Sequence, residues 1–470
     1  MPKKDDQRTL TREGLQAIRI ELATVYTQMQ RPMVVLSSTG KDSSATVQVV
    51  LEMLLSLPPE RRTQPVYIVS GDVGGGEMPQ VRKRIYRTRD LINGFAAEHD
   101  LPVEAHVAHP LLRNMFWVCL IGRGYAAPTA RFAWCQIRLK IDPIARLVRE
   151  EIIARHGTVV QVLGKRFSES SRRAQSMRKH AVPDSPFDFE YSPEFPGSVQ
   201  YSPFRWATTK DIWWYLTTYP NPISALYNLQ LKALYQEADN NKECPVTNDG
   251  TQPTCGGSRF GCFHCTVSKN SSLHSLVESP QYEWMWPLAE VHAYLQMTTD
   301  PAVKLIYREP KYTPSGRIKP LTRDPSRPTP GKYKLPVRRT ILEMLLKAQE
   351  QCREEGPDPN LELISLDEIR AIRYLWLSAE AENRLREAAN GPVSQKLLDV
   401  RVPAMIEQWY DHPELAPDDH ARAIVERVLG LDIGPWSPDD GRLLDKPAER
   451  HQSKARQMVM DLFGEQEVAA

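Results

Sequence analysis

Apolar residues in the first third of the chain follow two alternating spacings. Leu15, Ile18, Leu22 and Val25 recur every three or four positions, the period of a helix with one buried stripe. After Pro32 comes the continuous run Met33-Val34-Val35-Leu36, which suits a strand covered on both faces. The pair then repeats. Val47, Val50, Leu51 and Leu54 predict a helix and Val66-Tyr67-Ile68-Val69 a strand. Val81, Ile85 and Leu91 predict a helix and Val103 to Val107 a strand, and Val159-Val160-Gln161-Val162-Leu163 predicts a fourth strand. Strands separated by helices of this length require crossover connections, so the expected fold is α/β, a parallel sheet with helices on both faces. From about residue 200 the pattern turns helical, with Ile212, Trp213 and Leu216. Helical spacing resumes at Val337, Ile341 and Leu345, and again at Leu366, Ile369, Ile372 and Leu375. The organisation predicted is an N-terminal helix (1–30), an α/β domain (31–225), a cysteine-rich insert (226–307), a basic Pro-rich connector (308–336) and a helical C-terminal region (337–470).

In a parallel sheet, ligands bind where strands end and loops begin. The first strand runs into Ser37-Ser38-Thr39-Gly40-Lys41-Asp42-Ser43-Ser44, which opens a helix. Small residues let a backbone wrap an anion, the helix-start amides point at it, and Lys41 adds charge. This is not a Walker A loop, because position 35 is Val where the first glycine would fall. The second strand ends in Ser70-Gly71-Asp72-Val73-Gly74. The fourth ends in Gly164-Lys165-Arg166-Phe167-Ser168-Glu169-Ser170-Ser171-Arg172-Arg173, offering cations for phosphates and a carboxylate to orient them or share Mg²⁺. The plainer alternative for the loop is a strand-to-helix turn with a serine cap, and for Arg166 and Arg173 an exposed helix start.

Composition narrows the partners. Sixty Lys and Arg nearly balance 58 Asp and Glu, which excludes the strong overall basicity of a free-standing nucleic-acid binder and leaves only local patches. One such patch is the connector, where Arg308, Lys311, Arg317, Lys319, Arg323, Arg327, Lys332 and Lys334 face only Glu309 and Asp324; it reads equally as a DNA or partner contact and as a solvated linker. The start MPKKDDQRTL carries no apolar segment and no apolar run reaches about 18 residues, so a cytoplasmic protein with no membrane contact is expected. Of seven cysteines, Cys244, Cys255, Cys262 and Cys265 crowd one stretch, a metal-binding pattern in a reducing compartment. Cys135 is a fifth candidate, and five compete for four positions. An iron–sulfur cluster and a zinc knuckle both remain open on spacing. Cys119, in an apolar run, and Cys352, in a polar helix, read as ordinary side chains.

The loop resembles the ATP-pyrophosphatase (PP) loop Ser-Gly-Gly-x-Asp-Ser, with Thr39 in place of the first glycine. Together with Gly-x-Arg-x-x-Glu-Ser-x-x-Arg at 164–173, and with Tyr201-Ser202-Pro203-Phe204-Arg205-Trp206 before Asp211-Ile212-Trp213, it is similar to the phosphoadenosine-phosphosulfate (PAPS) reductase family of the PP-loop superfamily. That resemblance implies an adenine nucleotide alpha hydrolase-like fold that uses ATP and Mg²⁺. It implies binding by Ser37, Ser38, Thr39, Gly40, Lys41, Asp42, Ser43, Asp72, Gly164 and Arg166, with Lys41, Asp42, Arg166, Glu169 and Arg173 catalytic. Similarity to cluster-bearing adenylyl-sulfate reductases implies a [4Fe–4S] cluster on Cys135, Cys244, Cys262 and Cys265, with Cys255 as substitute. Phe116 to Tyr125, Trp134-Cys135, Cys244-Pro245, Ser258 to Val267, Val337-Arg338-Arg339 and Ile369-Arg370 resemble the DndC-type family of DNA phosphorothioation. This implies adenylation of a DNA backbone phosphate and replacement of a non-bridging oxygen by sulfur. It also implies a cysteine desulfurase as sulfur donor and other phosphorothioation subunits that present the DNA. A PP-loop tRNA thiolase and a PAPS or adenylyl-sulfate reductase are the enzymatic alternatives. The latter lacks its Glu-Cys-Gly-x-His segment, since no cysteine follows Cys352.

Overall fold

The computed structural model describes residues 10–130, 132–238, 261–267, 272–313 and 315–376. Cys244, Cys255 and residues 377–470 lie outside them. The chain divides into two units. The first comprises residues 1–111, 127–301 and 347–361, and the second residues 112–126, 302–346 and 362–470.

The first unit is built on a six-stranded sheet of order β3-β2-β1-β4-β6-β5. Its strands are β1 (Met33–Ser37), β2 (Val66–Gly71), β3 (Val103–Ala108), β4 (Val160–Val162), β5 (Glu190–Tyr191) and β6 (Val199–Tyr201). All neighbours are parallel except β5, which pairs antiparallel with β6 at the edge. All four predicted strands are present, and β1 lies between β2 and β4. Strands β5 and β6 had no apolar run long enough to announce them.

Side chains alternate along each strand, so the two faces separate cleanly. Met33 and Val35 of β1 and Val66 and Ile68 of β2 join one core, with Leu15, Leu22 and Val25 of α1 (Arg12–Met29) and Val50, Leu51 and Leu54 of α2 (Lys41–Ser56). Ile92 and Phe95 of α3 (Pro79–Glu98) join the same core. Val34, Tyr67 and Val69 point the other way, onto Ala145, Val148 and Ile152 of the helical residues 134–156. Helices therefore cover both faces. The unit continues through α4 (Ser171–Lys179), α5 (Thr209–Thr218) and α6 (Tyr227–Ala238). Asp211 serves α5 directly: its carboxylate accepts from the Thr208 amide at 2.7 Å while Thr208 Oγ1 accepts from the Asp211 amide at 3.2 Å, a reciprocal cap.

In the second unit the stretch expected as a connector forms four short strands, β7 (Arg308–Pro310), β8 (Pro320–Leu321), β9 (Asp324–Pro328) and β10 (Pro330–Tyr333). Three backbone bonds of 2.8 Å tie them, from the amides of Lys311, Lys319 and Thr329 to the carbonyls of Thr329, Lys311 and Lys319. Proline tolerates such short edge strands because their outer amides need no ladder partner. Within this unit the Trp117 indole donates to the Leu363 carbonyl at 2.8 Å and that of Trp376 to the Ile121 carbonyl at 3.0 Å.

One glycine sets the spacing of the sheet edge that matters most. A Cβ on Gly164, just beyond β4, would lie 2.9 Å from both the carbonyl carbon and the oxygen of Asp42. Those are backbone atoms at the start of α2 and cannot swing aside. Gly164→Ala should therefore destabilise the protein by roughly 1–3 kcal/mol, the cost of overpacking, seen as a lower urea midpoint at unchanged slope. An unchanged midpoint would show that the two segments are not in contact.

Candidate functional site

The loop between β1 and α2 turns at Thr39, whose φ of 56° is left-handed. A β-branched residue there is strained by about 1–3 kcal/mol. The loop thus makes a tight left-handed turn at Thr39, the residue that stands where the PP-loop motif has its first glycine. Thr39 is buried, as is Ser37.

The turn delivers the chain into α2, a 16-residue helix whose cap residue, Gly40, contributes no side-chain hydrogen bond. The first amides of a helix have no internal partner. Here several lean on hydroxyls: Ser38 N donates to Ser43 Oγ at 3.2 Å, Thr39 N to Ser37 Oγ at 3.3 Å and Lys41 N to the Tyr235 hydroxyl at 3.3 Å. These bonds are longer than the usual 2.9–3.0 Å. An anionic oxygen would make shorter and stronger ones, helped by the helix dipole.

Lys41 lies over the Tyr235 ring, 5.1 Å from its centre, and its Nζ is 3.9 Å from Asp42 Oδ2. Asp42 is held more tightly elsewhere. Arg166 donates from Nε to Asp42 Oδ1 at 2.7 Å, from Nη1 to Ser168 Oγ at 2.9 Å and to the Ala207 carbonyl at 3.3 Å, and from Nη2 to Thr209 Oγ1 at 3.3 Å. Arg166 is buried, so its guanidinium braces the loop against the end of β4. Glu169 and Arg173 pair with each other one helical turn apart, at 3.1 Å, on the surface. Asp72 is wholly buried. It accepts from Arg82 Nε at 3.1 Å, the Tyr86 hydroxyl at 2.6 Å and the Gly74 amide at 2.9 Å. Burial, with the bond to Asp72, pushes the Tyr86 hydroxyl up to about 12.

Motif reading overlooked Arg84 of α3 and Tyr227 and Tyr235 of α6. Arg84 Nε donates to the Thr39 carbonyl at 3.4 Å and its guanidinium lies 4.0 Å over the Tyr227 ring.

A second centre gathers around Lys140. The ammonium is held above its usual range, first by Cys262, with Glu77, Cys265 and Cys135 adding to the effect against the cost of burial. Burial pushes the thiols of Cys262 and Cys135 up, and Lys140 counters it. The segments interlock through hydrogen bonds to backbone carbonyls: Met78 N donates to that of Gly261 at 2.8 Å, Phe263 N to that of Gly76 at 3.1 Å, and the Thr266 hydroxyl to that of Pro128 at 2.5 Å. Two glycines permit this. Gly261 has a φ of 148°, and a Cβ there would stand 3.3 Å from Glu77 Oε1 and 3.7 Å from Lys140 Nζ. A Cβ on Gly76 would overlap the buried His264 ring, at 2.3 Å. His292 donates from Nε2 to the Cys265 carbonyl at 3.0 Å, so its Nδ1 must accept from His274 Nε2 at 3.1 Å.

Of the predicted ligands, Cys135, Cys262 and Cys265 therefore share one electrostatic environment, while Cys244 and Cys255 are outside the described residues. Among the described residues no three His, Cys, Asp or Glu side chains are assembled to hold a metal ion. Three cysteines around one ammonium nonetheless suit a cluster, whose cysteine ligands carry negative charge once it is bound. Cys119 Sγ lies 3.6 Å from the Arg113 carbonyl and Cys352 Sγ 3.3 Å from the Trp284 carbonyl. Both are buried.

No family model and no curated protein matches the chain. Among solved structures it is similar to the U34-tRNA thiolase NcsA from Methanococcus maripaludis with its [4Fe-4S] cluster. The identity is 13% over 49% of this chain and 76% of that one, with a TM-score of 0.26. A likeness that distant carries no functional weight. No helix among the described residues is long and apolar enough to cross a membrane.

The two arginines should respond differently to replacement. Arg166→Met should cost roughly 2–3 kcal/mol, because it breaks a buried charge-assisted network. Arg173→Met should cost less than about 0.5 kcal/mol, because its partner is exposed. Urea unfolding of both variants checks this; equal losses would contradict the assigned bracing role of Arg166.

Proposed function

We propose that the chain is an ATP-pyrophosphatase that splits ATP into AMP and pyrophosphate and couples this to sulfur transfer, as the ATP-activating component of DNA phosphorothioate modification. The observation that carries the nucleotide reading is the start of α2: a long helix, capped by a glycine, whose loop amides rest on exchangeable hydroxyls beside Lys41. Such a terminus accepts a polyphosphate. The loop amides and Lys41 would hold the departing pyrophosphate, with Mg²⁺ sharing its charge.

A phosphate oxygen is a poor leaving group. Attack by a non-bridging oxygen of the DNA phosphate on the α-phosphorus of ATP releases pyrophosphate and leaves the phosphate joined to AMP. A persulfide sulfur then attacks the DNA phosphorus, AMP departs with the original oxygen, and a thiol cleaves the sulfur–sulfur bond to leave phosphorothioate and a disulfide. The persulfide comes from a cysteine desulfurase partner, since no pyridoxal-phosphate domain is recognisable in the sequence. Cys135, Cys244, Cys262 and Cys265, with Cys255 in place of Cys135 if that thiol stays free, would hold a [4Fe–4S] cluster, which supplies a sulfide- and electron-carrying centre when bound. The chain's own part is positioning: Lys140 offsets the thiolate charge, and Gly76 and Gly261 let the segments close.

The DNA assignment draws on the DndC-type motifs and on β7 to β10. There Lys311, Arg317, Lys319, Arg323, Arg327 and Lys332 are exposed, a surface suited to a phosphate backbone. With net charge near zero, sequence choice falls to partner subunits. A tRNA thiolase would use the same loop and cysteines, so the acceptor must be tested directly.

Lys41→Ala should abolish AMP and pyrophosphate formation while leaving the unfolding transition in place; release of ADP and phosphate by the wild type would refute the PP-loop assignment. Protein purified without oxygen should carry iron and sulfide, lost in Cys262→Ser and kept in Cys352→Ser; zinc without iron would refute the cluster. Deleting the gene should remove phosphorothioate dinucleotides from digested DNA, and a missing tRNA thionucleoside with unchanged DNA would favour the thiolase.

A further inference from the structure

Arg84 is costly where it stands. Its Nη2 is shielded from solvent and has no hydrogen-bond partner, its Nε reaches the Thr39 carbonyl only at 3.4 Å, and the guanidinium rests on the Tyr227 ring. Burial works against its charge, and no carboxylate among the groups acting on it compensates: Tyr227, through its charge distribution and its hydroxyl, and Tyr235 favour the charge, and Arg87 opposes it. A half-buried cation with a shielded nitrogen and no anion beside it is destabilising by itself, and such groups mark functional sites.

The surroundings specify what is missing. Tyr227 and Tyr235 lie eight positions apart on α6, so they share one helix face. Tyr227 carries Arg84, and Tyr235 carries Lys41 and touches the Lys41 amide. Tyr227 is fixed in turn, its hydroxyl 3.0 Å from Thr88 Oγ1 on α3. One helix face thus sets two cations beside the same turn of the loop, one at Thr39 and one at Lys41.

We propose that Arg84 is a second phosphate-binding cation of the loop, poised with Lys41 to take the pyrophosphate portion of a nucleoside triphosphate. The inference rests on the nucleotide reading of the loop and adds to it a residue outside the PP motif. A guanidinium presents a planar fork to phosphate oxygens that an ammonium cannot reproduce. Arg84 therefore acts in holding the departing group and needs no role in proton transfer.

The test uses the full-length protein and magnesium pyrophosphate or ATP in titration calorimetry, together with thermal unfolding of the ligand-free protein. Arg84→Met should weaken binding of both ligands roughly ten- to a hundredfold, the loss expected for a charged hydrogen bond. It should leave the ligand-free unfolding midpoint unchanged or raised, because an uncompensated charge has been removed. Arg84→Lys should fall between wild type and Arg84→Met in affinity. Wild-type affinity in Arg84→Met, with or without a fall in midpoint, would overturn the inference and leave the loop assignment standing. If the wild-type protein binds neither ligand, the loop assignment fails, and this inference fails with it.

Discussion

The first turn of α2 is the constraint around which the first unit is arranged. A helix that starts with no side-chain cap leaves donors to be satisfied from elsewhere, and the surrounding chain is organised to keep those donors available. β1 lies between parallel neighbours, so the loop after it opens at the carboxyl edge of the sheet. From β4, Gly164 fits against the Asp42 backbone and Arg166 clamps the Asp42 carboxylate. From α6, Tyr235 supplies a hydroxyl to the Lys41 amide. The strain at Thr39 is held in place by this bracing.

Three arginines of the first unit, two from the segment 164–173 and one from α3, have three different structural situations. Arg166 is saturated by Asp42, Ser168, Ala207 and Thr209, and so stiffens the loop. Arg173 belongs to an exposed pair that contributes little stability. Arg84, half-buried, alone of the three has a solvent-shielded nitrogen without a hydrogen-bond partner. Burial and partnering, more than proximity in a motif, separate a brace from a ligand-binding cation.

Much of the fold was legible because buried parallel strands are continuous apolar runs, as in Met33 to Leu36 and Val66 to Val69. Glu190-Tyr191 and Val199-Gln200-Tyr201 gave no such signal, being short and mixed, and Arg308 to Tyr333 read as a connector because its strands hold prolines and no apolar alternation. The turn from β1 into α2 was legible from its small residues, Ser37 to Ser44, between an apolar run and a helical spacing. Arg84 was hidden among Arg82, Lys83, Arg87 and Arg89 of one polar helix, where only packing against Tyr227 singles it out. Gly76 and Gly261 were equally silent, since the need for them comes from His264, Glu77 and Lys140, which are distant in sequence.

The central claim is that loop amides now resting on hydroxyls are the seat of a polyphosphate. Hydrogen–deuterium exchange of the peptide covering residues 37–46, with and without magnesium pyrophosphate, tests it most directly. The account predicts slower exchange of the amides in that peptide when the ligand is present, because a charged acceptor replaces long bonds to hydroxyls. Unchanged exchange there, with protection appearing elsewhere in the chain, would contradict it.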